Sequence, residues 1–203
     1  CILAVGTLPS AWLLSAVCTG DRVEIIGAVG RSVTFSLPSL DGGLAVWSFH
    51  NDVVLVIKFG NPPETTIFNK NYKGRLAFPK NGSALTISQL RMNDSGTYTA
   101  QVSGRKTTFT LRVYGELAVP AVTCVAQNCS ADGCRYILHC TTSGSGSGNV
   151  SYSWSKGGLP WSEGPTVLVK ESPPDKLPLL TCTARNAVSS NNVTVISPAT
   201  LCA

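Results

Sequence analysis

The pair Cys140 and Cys182, with Trp154 between them, limits this chain more than any other feature of its sequence. Each cysteine is set in an alternating run, Gly133-Cys-Arg-Tyr-Ile-Leu-His-Cys140 on one side and Leu180-Thr-Cys-Thr-Ala-Arg185 on the other. Alternation sends every second side chain to the same face of a strand, so both sulfurs can turn toward one interior. Cysteine, tryptophan and cysteine in that order mark a sandwich of two antiparallel sheets, bridged by a disulfide that packs on a core indole. Glycine (19) and proline (12) are plentiful and methionine is single, which suits many short strands joined by turns.

At 203 residues the chain exceeds one such sandwich of about 100 residues and fits two. Residues 1–18 stand apart from both. Ile2-Leu-Ala-Val5 and Ala11-Trp-Leu-Leu-Ser-Ala-Val17 are apolar and uncharged, and they end in the small residues Ala16-Val17-Cys18. This pattern is that of the core of a secretory leader, so residues 1–18 are expected to be a partial signal peptide. Pro9 and the lack of alternation count against a buried first strand. Gly6, Pro9 and Ser10 interrupt a run already too short to cross a membrane.

Residues 19–115 then form a first domain. Val33, Phe35 and Leu37 alternate on one side of a strand, Trp47 supplies a core indole, and Asp94-Ser-Gly-Thr-Tyr98 has the form of a tyrosine corner. Where a cross-sheet disulfide would stand, Leu37 and Ala100 occur instead, so this core must hold by packing. Arg75 and Asp94 are expected to form a buried ion pair. The stretch from Trp47 to Ala100 is about twice as long as that from Trp154 to Cys182. The surplus accommodates two further strands, which Val53–Phe59 and Thr65–Phe68 can supply. The expected fold is therefore all-β: two tandem immunoglobulin-like sandwiches, variable-type without the cross-sheet disulfide, then C2-type with two disulfides over residues 116–203. A hinge is expected at Tyr114-Gly-Glu-Leu117. Ser143-Gly-Ser-Gly-Ser-Gly148 is a loop between strands of the second domain, and Pro173, Pro174 and Pro178 mark a turn.

With Cys1 and Cys18 in the leader, six cysteines remain and allow fifteen pairings. Cys140 with Cys182 is the expected cross-sheet bridge. Cys134 at one end of its strand and Cys202 near the end of the last strand form the natural second bridge. Cys124 and Cys129 are left to close a small local loop. The gaps among Cys124, Cys129, Cys134 and Cys140 do not suit a structural zinc site, and no metal or other cofactor is expected.

The net charge of +5 is spread out, with no run of Lys or Arg, which argues against nucleic acid as a partner. The two histidines, His50 and His139, have no acidic orienter or nucleophile motif beside them, so no catalytic residue and no enzymatic activity are expected. Sequons at Asn81, Asn128, Asn149 and Asn192 are expected to carry glycans. The sequon at Asn93 abuts a packed corner and is discounted.

Cys134-Arg-Tyr-Ile-Leu-His-Cys140, Val150-Ser-Tyr-Ser-Trp154, Leu180-Thr-Cys-Thr-Ala-Arg-Asn-Ala-Val-Ser189 and Leu201-Cys202 resemble the membrane-proximal domain of signaling lymphocytic activation molecule (SLAM) family receptors. Gly30-Arg-Ser-Val-Thr34, Val46-Trp47, Gly74-Arg-Leu76, Leu85-Thr-Ile-Ser-Gln-Leu90 and Asn93-Asp-Ser-Gly-Thr-Tyr98 resemble the family's variable-type domain. The resemblance implies a leukocyte ectodomain on the outer side of the plasma membrane that binds through its outer domain. Its partner would be itself, or a related family receptor, on an opposing cell. It also implies cytoplasmic adaptors recruited through a tail that these residues do not include, and the chain is expected to be a fragment of an anchored protein. The alternative function is a heterophilic ligand, lipid-anchored or soluble, for another family member.

In variable-type domains the front sheet is the common adhesive face. Alternation with Trp47, Phe49, Tyr98, Ala100 and Val102 inward turns Val46, Ser48, His50, Thr99, Gln101 and Ser103 outward. With Lys58 solvated, Val54 and Val56 share its face while Leu55 and Ile57 pack inside. The expected binding residues are thus His50, Val54, Val56, Lys58, Thr99, Gln101 and Ser103. A strand buried throughout Val53–Ile57 is the competing reading, and a one-residue slip would exchange the two sets.

Overall fold

The computed structural model describes residues 17–19, 22–37, 43–60, 62–78, 84–170 and 179–203. Residues 1–16 of the expected leader, the sequon Asn81 and the turn prolines 173, 174 and 178 lie outside them. The chain divides into two compact units, Cys1–Tyr114 and Gly115–Ala203. The described residues are all-β, with one short α-helix among them.

In the first unit the strands are β1 (Val17–Thr19), β2 (Arg22–Ala28), β3 (Val33–Ser36), β4 (Leu44–Phe49), β5 (Asp52–Lys58), β6 (Glu64–Ile67), β7 (Leu76–Ala77), β8 (Ala84–Ile87), β9 (Gly96–Val102) and β10 (Arg105–Tyr114). Seven of them form a sheet in the order β1-β2-β10-β9-β4-β5-β6, and a second sheet runs β3-β8-β7. β2 lies parallel to β10; every other pairing among the described residues of the unit is antiparallel. The backbone of Cys18 pairs with Val23, so the end of the expected leader segment sits in the sheet as an edge strand.

Alternation builds the core as expected. Val33, Phe35 and Leu37 face Trp47, Tyr98, Ala100 and Phe109, and all are buried. The ring of Phe35 lies 5.0 Å from Tyr98, 5.2 Å from Phe109 and 5.8 Å from Trp47, tilted in each case. Such offset aromatic contacts add roughly 0.5–1.5 kcal/mol each to the burial of area. They lie in the same core as Leu37 and Ala100, which occupy the positions where a bridged domain would place its cystine. All the described disulfides lie in the second unit.

The corner below β9 is ionic as well as aromatic. The Arg75 guanidinium meets the Asp94 carboxylate with both nitrogens, and each residue is only 4% exposed. Arg75 also donates from Nε to the Ser88 carbonyl (3.1 Å) and from Nη1 to the Asn71 carbonyl (3.2 Å). Asp94 Oδ2 accepts the Arg91 backbone N–H at 2.7 Å. The Tyr98 hydroxyl donates to the Asp94 carbonyl at 2.8 Å and lies 3.0 Å from the Tyr72 hydroxyl.

Burial, and then the hydrogen bond shared with Tyr72, pushes the Tyr98 phenol far above its ordinary value, and burial raises Tyr72 too. The folded unit therefore holds these protons more tightly than the unfolded chain does. Their stabilising contribution is complete below pH about 10 and is lost as pH rises beyond it. We expect the urea midpoint of the first unit to fall steeply above pH about 10, and the Tyr98→Phe variant to lose much of that dependence. A midpoint equally flat in both proteins through that range would contradict the arrangement.

In the second unit β11 (Ala121–Ser130), β12 (Gly133–Thr141) and β15 (Thr166–Lys170) form one sheet, in the order β11-β12-β15. The other runs β14-β13-β16-β17, from β14 (Leu159–Glu163), β13 (Ser151–Lys156), β16 (Leu180–Arg185) and β17 (Ser190–Val195). A short helix, α1 (Pro198–Leu201), follows, capped by the Ser197 hydroxyl on the Thr200 N–H. Tyr136, Leu138, Cys140, Trp154, Val167, Val169, Leu180, Cys182 and Val195 make the core.

Residues 143–148 are the loop between β12 and β13, and the start of the unit is tied to that loop. Gly115 N–H donates to Gly146, Ala118 N–H to Ser143, and Asn186 Nδ2 to the carbonyls of both Gly115 and Ser147. Leu117 is buried, with its N–H on Ser189 Oγ and its carbonyl on Asn191 Nδ2.

The cysteine pairing differs from expectation at two of three bridges. Cys140–Cys182 forms as expected. Cys134 pairs with Cys129 rather than Cys202, and Cys124 pairs with Cys202 rather than Cys129. The cause is a hairpin. A two-residue turn, Ala131-Asp132, joins β11 to β12 and puts Cys129 directly opposite Cys134, Cα atoms 4.0 Å apart. Five residues of extended strand separate Cys124 from Cys129 by about 17 Å, too far for a bridge. The helical turn after β17 then returns Cys202 to Cys124, Cα atoms 5.2 Å apart.

Candidate binding face

The outer face of β10, β9, β4, β5 and β6 is set by pairings that carry one row of side chains straight across the sheet. Lys106 lies opposite Gln101, Gln101 opposite Val46, Val46 opposite Val56, and Val56 opposite Thr66. A neighbouring row runs Thr108, Thr99, Ser48, Val53. On the other side Leu44 faces Lys58, which donates to Glu64 Oε2 at 3.2 Å. Opposite residues on one face of a pleated sheet touch, so these rows form a continuous surface.

The register between β4 and β5 breaks once. Trp47 pairs with Leu55 and Ser48 with Val53, leaving Val54 as an extra residue on β5. A bulge of this kind turns the strand and shifts the alternation by one. Val54 is consequently 2% exposed and belongs to the core beside Leu55 and Ile57. The expectation that Val54 shares the outer face is corrected; Val53, at 41% exposure, takes that place. The Val54 carbonyl accepts the Phe68 N–H at 2.9 Å. The bulge therefore also anchors the chain leaving β6.

His50 is also displaced from the expected face. It and Asn51 form the two-residue turn between β4 and β5, both with positive φ (48° and 76°). The imidazole stacks on Phe49 at 4.2 Å. A Cβ on Gly96 would stand 2.3 Å from His50 Nε2, so glycine is needed there for the turn to close. His50 is thus at one end of the sheet, and Ser103, with φ 48° in the turn between β9 and β10, is at the other rather than on a strand, while Val56, Lys58, Thr99 and Gln101 lie on the outer face or its margin. Gly43, Leu44, Val46, Gln101, Ser103 and Gly104 line a shallow open depression at the opposite end.

Sequence reasoning missed Leu44 and Val53 as outward apolar residues. Leu44 is 47% exposed, and the pattern Leu44-Ala-Val46-Trp47 already placed it on the face of Val46. Leu44, Val46, Val53 and Val56 together make an apolar strip rimmed by Lys106, Gln101, Thr99, Thr66 and the Lys58–Glu64 pair. No group of His, Cys, Asp and Glu among the described residues is arranged to hold a metal ion. No helix among them is long and apolar enough to cross a membrane. Of the expected glycan sites, Asn128, Asn149 and Asn192 are exposed on the second unit. Asn93, discounted for packing, is exposed in a turn of 3-10 helix.

No family model matches the chain. It is 33% identical to SLAM family member 5 of Mus musculus over 201 residues, covering 93% of this chain and 59% of that protein. It is 36% identical to the human T-lymphocyte surface antigen Ly-9 over 183 residues, covering 83% of this chain and 27% of that protein. Among solved structures, the CD2-binding domain of CD58 superposes with a TM-score of 0.63 at 19% identity, covering 87% of this chain and 96% of that one. At that identity the likeness is one of fold. The chain spans less than two thirds of the length of the curated relatives it matches.

Proposed function

With this chain a SLAM family relative along 93% of its length, we propose that it is the ectodomain of a leukocyte surface receptor. It acts by binding, not catalysis, on the outer side of the plasma membrane. It engages a second copy of itself on an opposing cell through the outer face of β10-β9-β4-β5-β6, and the contact modulates immune-cell activation.

The observation that supports this most is the apolar strip of Leu44, Val46, Val53 and Val56 within a polar rim. Exposed aliphatic residues grouped in this way mark contact surfaces. Lys106 stands at the β10 margin of the strip and Glu64 at the β6 margin. A two-fold axis through the valines brings each lysine toward the partner's glutamate, as an isologous contact requires. One such face gives a small, weak interface, and many parallel contacts between apposed membranes supply the strength.

The test is a substitution that charges the strip without touching the core. Val56→Asp is expected to abolish aggregation of beads coated with the ectodomain while leaving its melting temperature in place. Val54→Asp serves as the contrast, because its side chain is buried and the unit should unfold. Undiminished bead aggregation by Val56→Asp would overturn the reading. A wild-type ectodomain that stays monomeric at all concentrations, yet binds a family relative through this face, would replace self-binding with the heterophilic alternative.

A further inference from the structure

The second unit carries an apolar surface unrelated to the face above. On the outer side of the sheet β11-β12-β15, Ala126 lies opposite Ile137 and Ile137 opposite Leu168. Leu168 is 59% exposed although it sits mid-strand, between the buried Val167 and Val169. One row along, Asn128 lies opposite Arg135, and Arg135 opposite Lys170. The far side is closed by His139, whose Nδ1 is 2.9 Å from Thr166 Oγ1. Three aliphatic side chains thus form a strip across the sheet, with an exposed asparagine on the same face, two residues from Ala126 and diagonal to Ile137. That asparagine begins the sequon Asn128-Cys-Ser130.

The opposite sheet provides the comparison. The outer side of β14-β13-β16-β17 pairs Ser153 with Thr183 and Thr183 with Asn192, and Ser155 with Thr181 and Thr181 with Thr194. The last two hydroxyls are 3.0 Å apart. These rows across β13, β16 and β17 are polar, and a sugar on the sequon there, Asn192, stands among hydroxyls rather than aliphatic side chains.

We propose that Asn128 carries an N-linked glycan whose first sugars lie over Ala126, Ile137 and Leu168 and keep this face from associating. The attachment joins Asn128 Nδ2 to the anomeric carbon of an oligosaccharide carried on a lipid diphosphate. The diphosphate leaves with the bonding electron pair and Nδ2 loses one proton. An N-acetylglucosamine presents ring C–H groups and an acetamido methyl to aliphatic side chains, and hydroxyls to flanking cations such as Arg135 and Lys170. Diagonal neighbours on one sheet face are about 7–8 Å apart, so the first sugar already reaches Ile137. The Cys129–Cys134 bridge holds the same hairpin, fixing the direction in which the sugar leaves the strand.

The experiment uses the whole chain secreted from glycosylating cells. Glycopeptide mass spectrometry is expected to find Asn128 occupied. Asn128→Gln, and separately Ser130→Ala, which removes the sequon but keeps the asparagine, should each raise binding of an apolar dye. Each should also shift the protein from monomer to concentration-dependent oligomer in sedimentation, with the disulfides intact. Adding Leu168→Thr to either variant should restore the monomer, while Asn192→Gln should leave dye binding and sedimentation unchanged. An unmodified Asn128 overturns the proposal. So does an occupied Asn128 whose removal changes neither readout, or a shift that Leu168→Thr does not reverse. Bead aggregation through the first unit is a separate measurement, so each proposal can fail alone.

Discussion

Asp94→Ala is expected to destabilise the first unit by about 3–5 kcal/mol, because it leaves the Arg75 charge buried with no anion beside it. Arg75 is 4% exposed, and its other hydrogen bonds, to the carbonyls of Ser88 and Asn71, do not neutralise it. The same substitution strips the Arg91 N–H of its acceptor. Losing the pair as a whole costs far less, since two charges no longer need to be desolvated. Arg75→Met with Asp94→Leu should therefore recover most of the stability lost in the single variant. Urea denaturation of the three proteins measures this. A single variant within about 1 kcal/mol of the parent would show that the pair is solvated, as ordinary surface pairs are.

Replacing both Cys140 and Cys182 with alanine is expected to destabilise the second unit by about 4 kcal/mol through chain entropy, given a closed loop of 42 residues. Lost packing adds to this, because both cysteines are fully buried against Trp154. Removing Cys129–Cys134, which closes only 5 residues, should cost about 2 kcal/mol by the same relation. The first unit, cohering through Phe35, Trp47, Tyr98 and Phe109, should melt unchanged in both variants. Calorimetry resolves the two transitions. If the first unit's transition moved with that of the second, the separate cores described above would be wrong.

Most of the architecture was legible in the sequence wherever alternation ran unbroken. Val33 and Phe35, Tyr98 and Ala100, and Tyr136 and Leu138 each declare a buried face, and the Arg75–Asp94 pair was expected as well. Expectation failed where one residue interrupts the period. Val54 reads as outward only if β5 is regular, and nothing in Val53-Val-Leu-Val-Ile57 distinguishes a bulge from a plain strand. His50 reads as a continuation of β4 because its turn lacks a glycine, although Asn51 is one of the few residues that tolerate positive φ. The disulfides failed for a different reason. The position of Cys134 along one strand points to Cys202, whereas its partner is set by the hairpin. The short stretch Ser130-Ala-Asp-Gly133 between two strand-like runs is the signal of such a turn, and centring it on Ala131-Asp132 places Cys129 across from Cys134.

The Cys124–Cys202 bridge also has a mechanical consequence. Tension applied along the chain enters the second unit at Gly115, reaches Cys124, and crosses by a covalent bond to Cys202. The sequence between those two cysteines, with a separation of 78 and nearly all of this core within it, is left out of the load path. Pulling on such a unit strains the bridge and the short lead of strand before it. Beyond the pairing of that lead with β12, the hydrogen-bonded sheets stay slack until a reductant opens that shortcut.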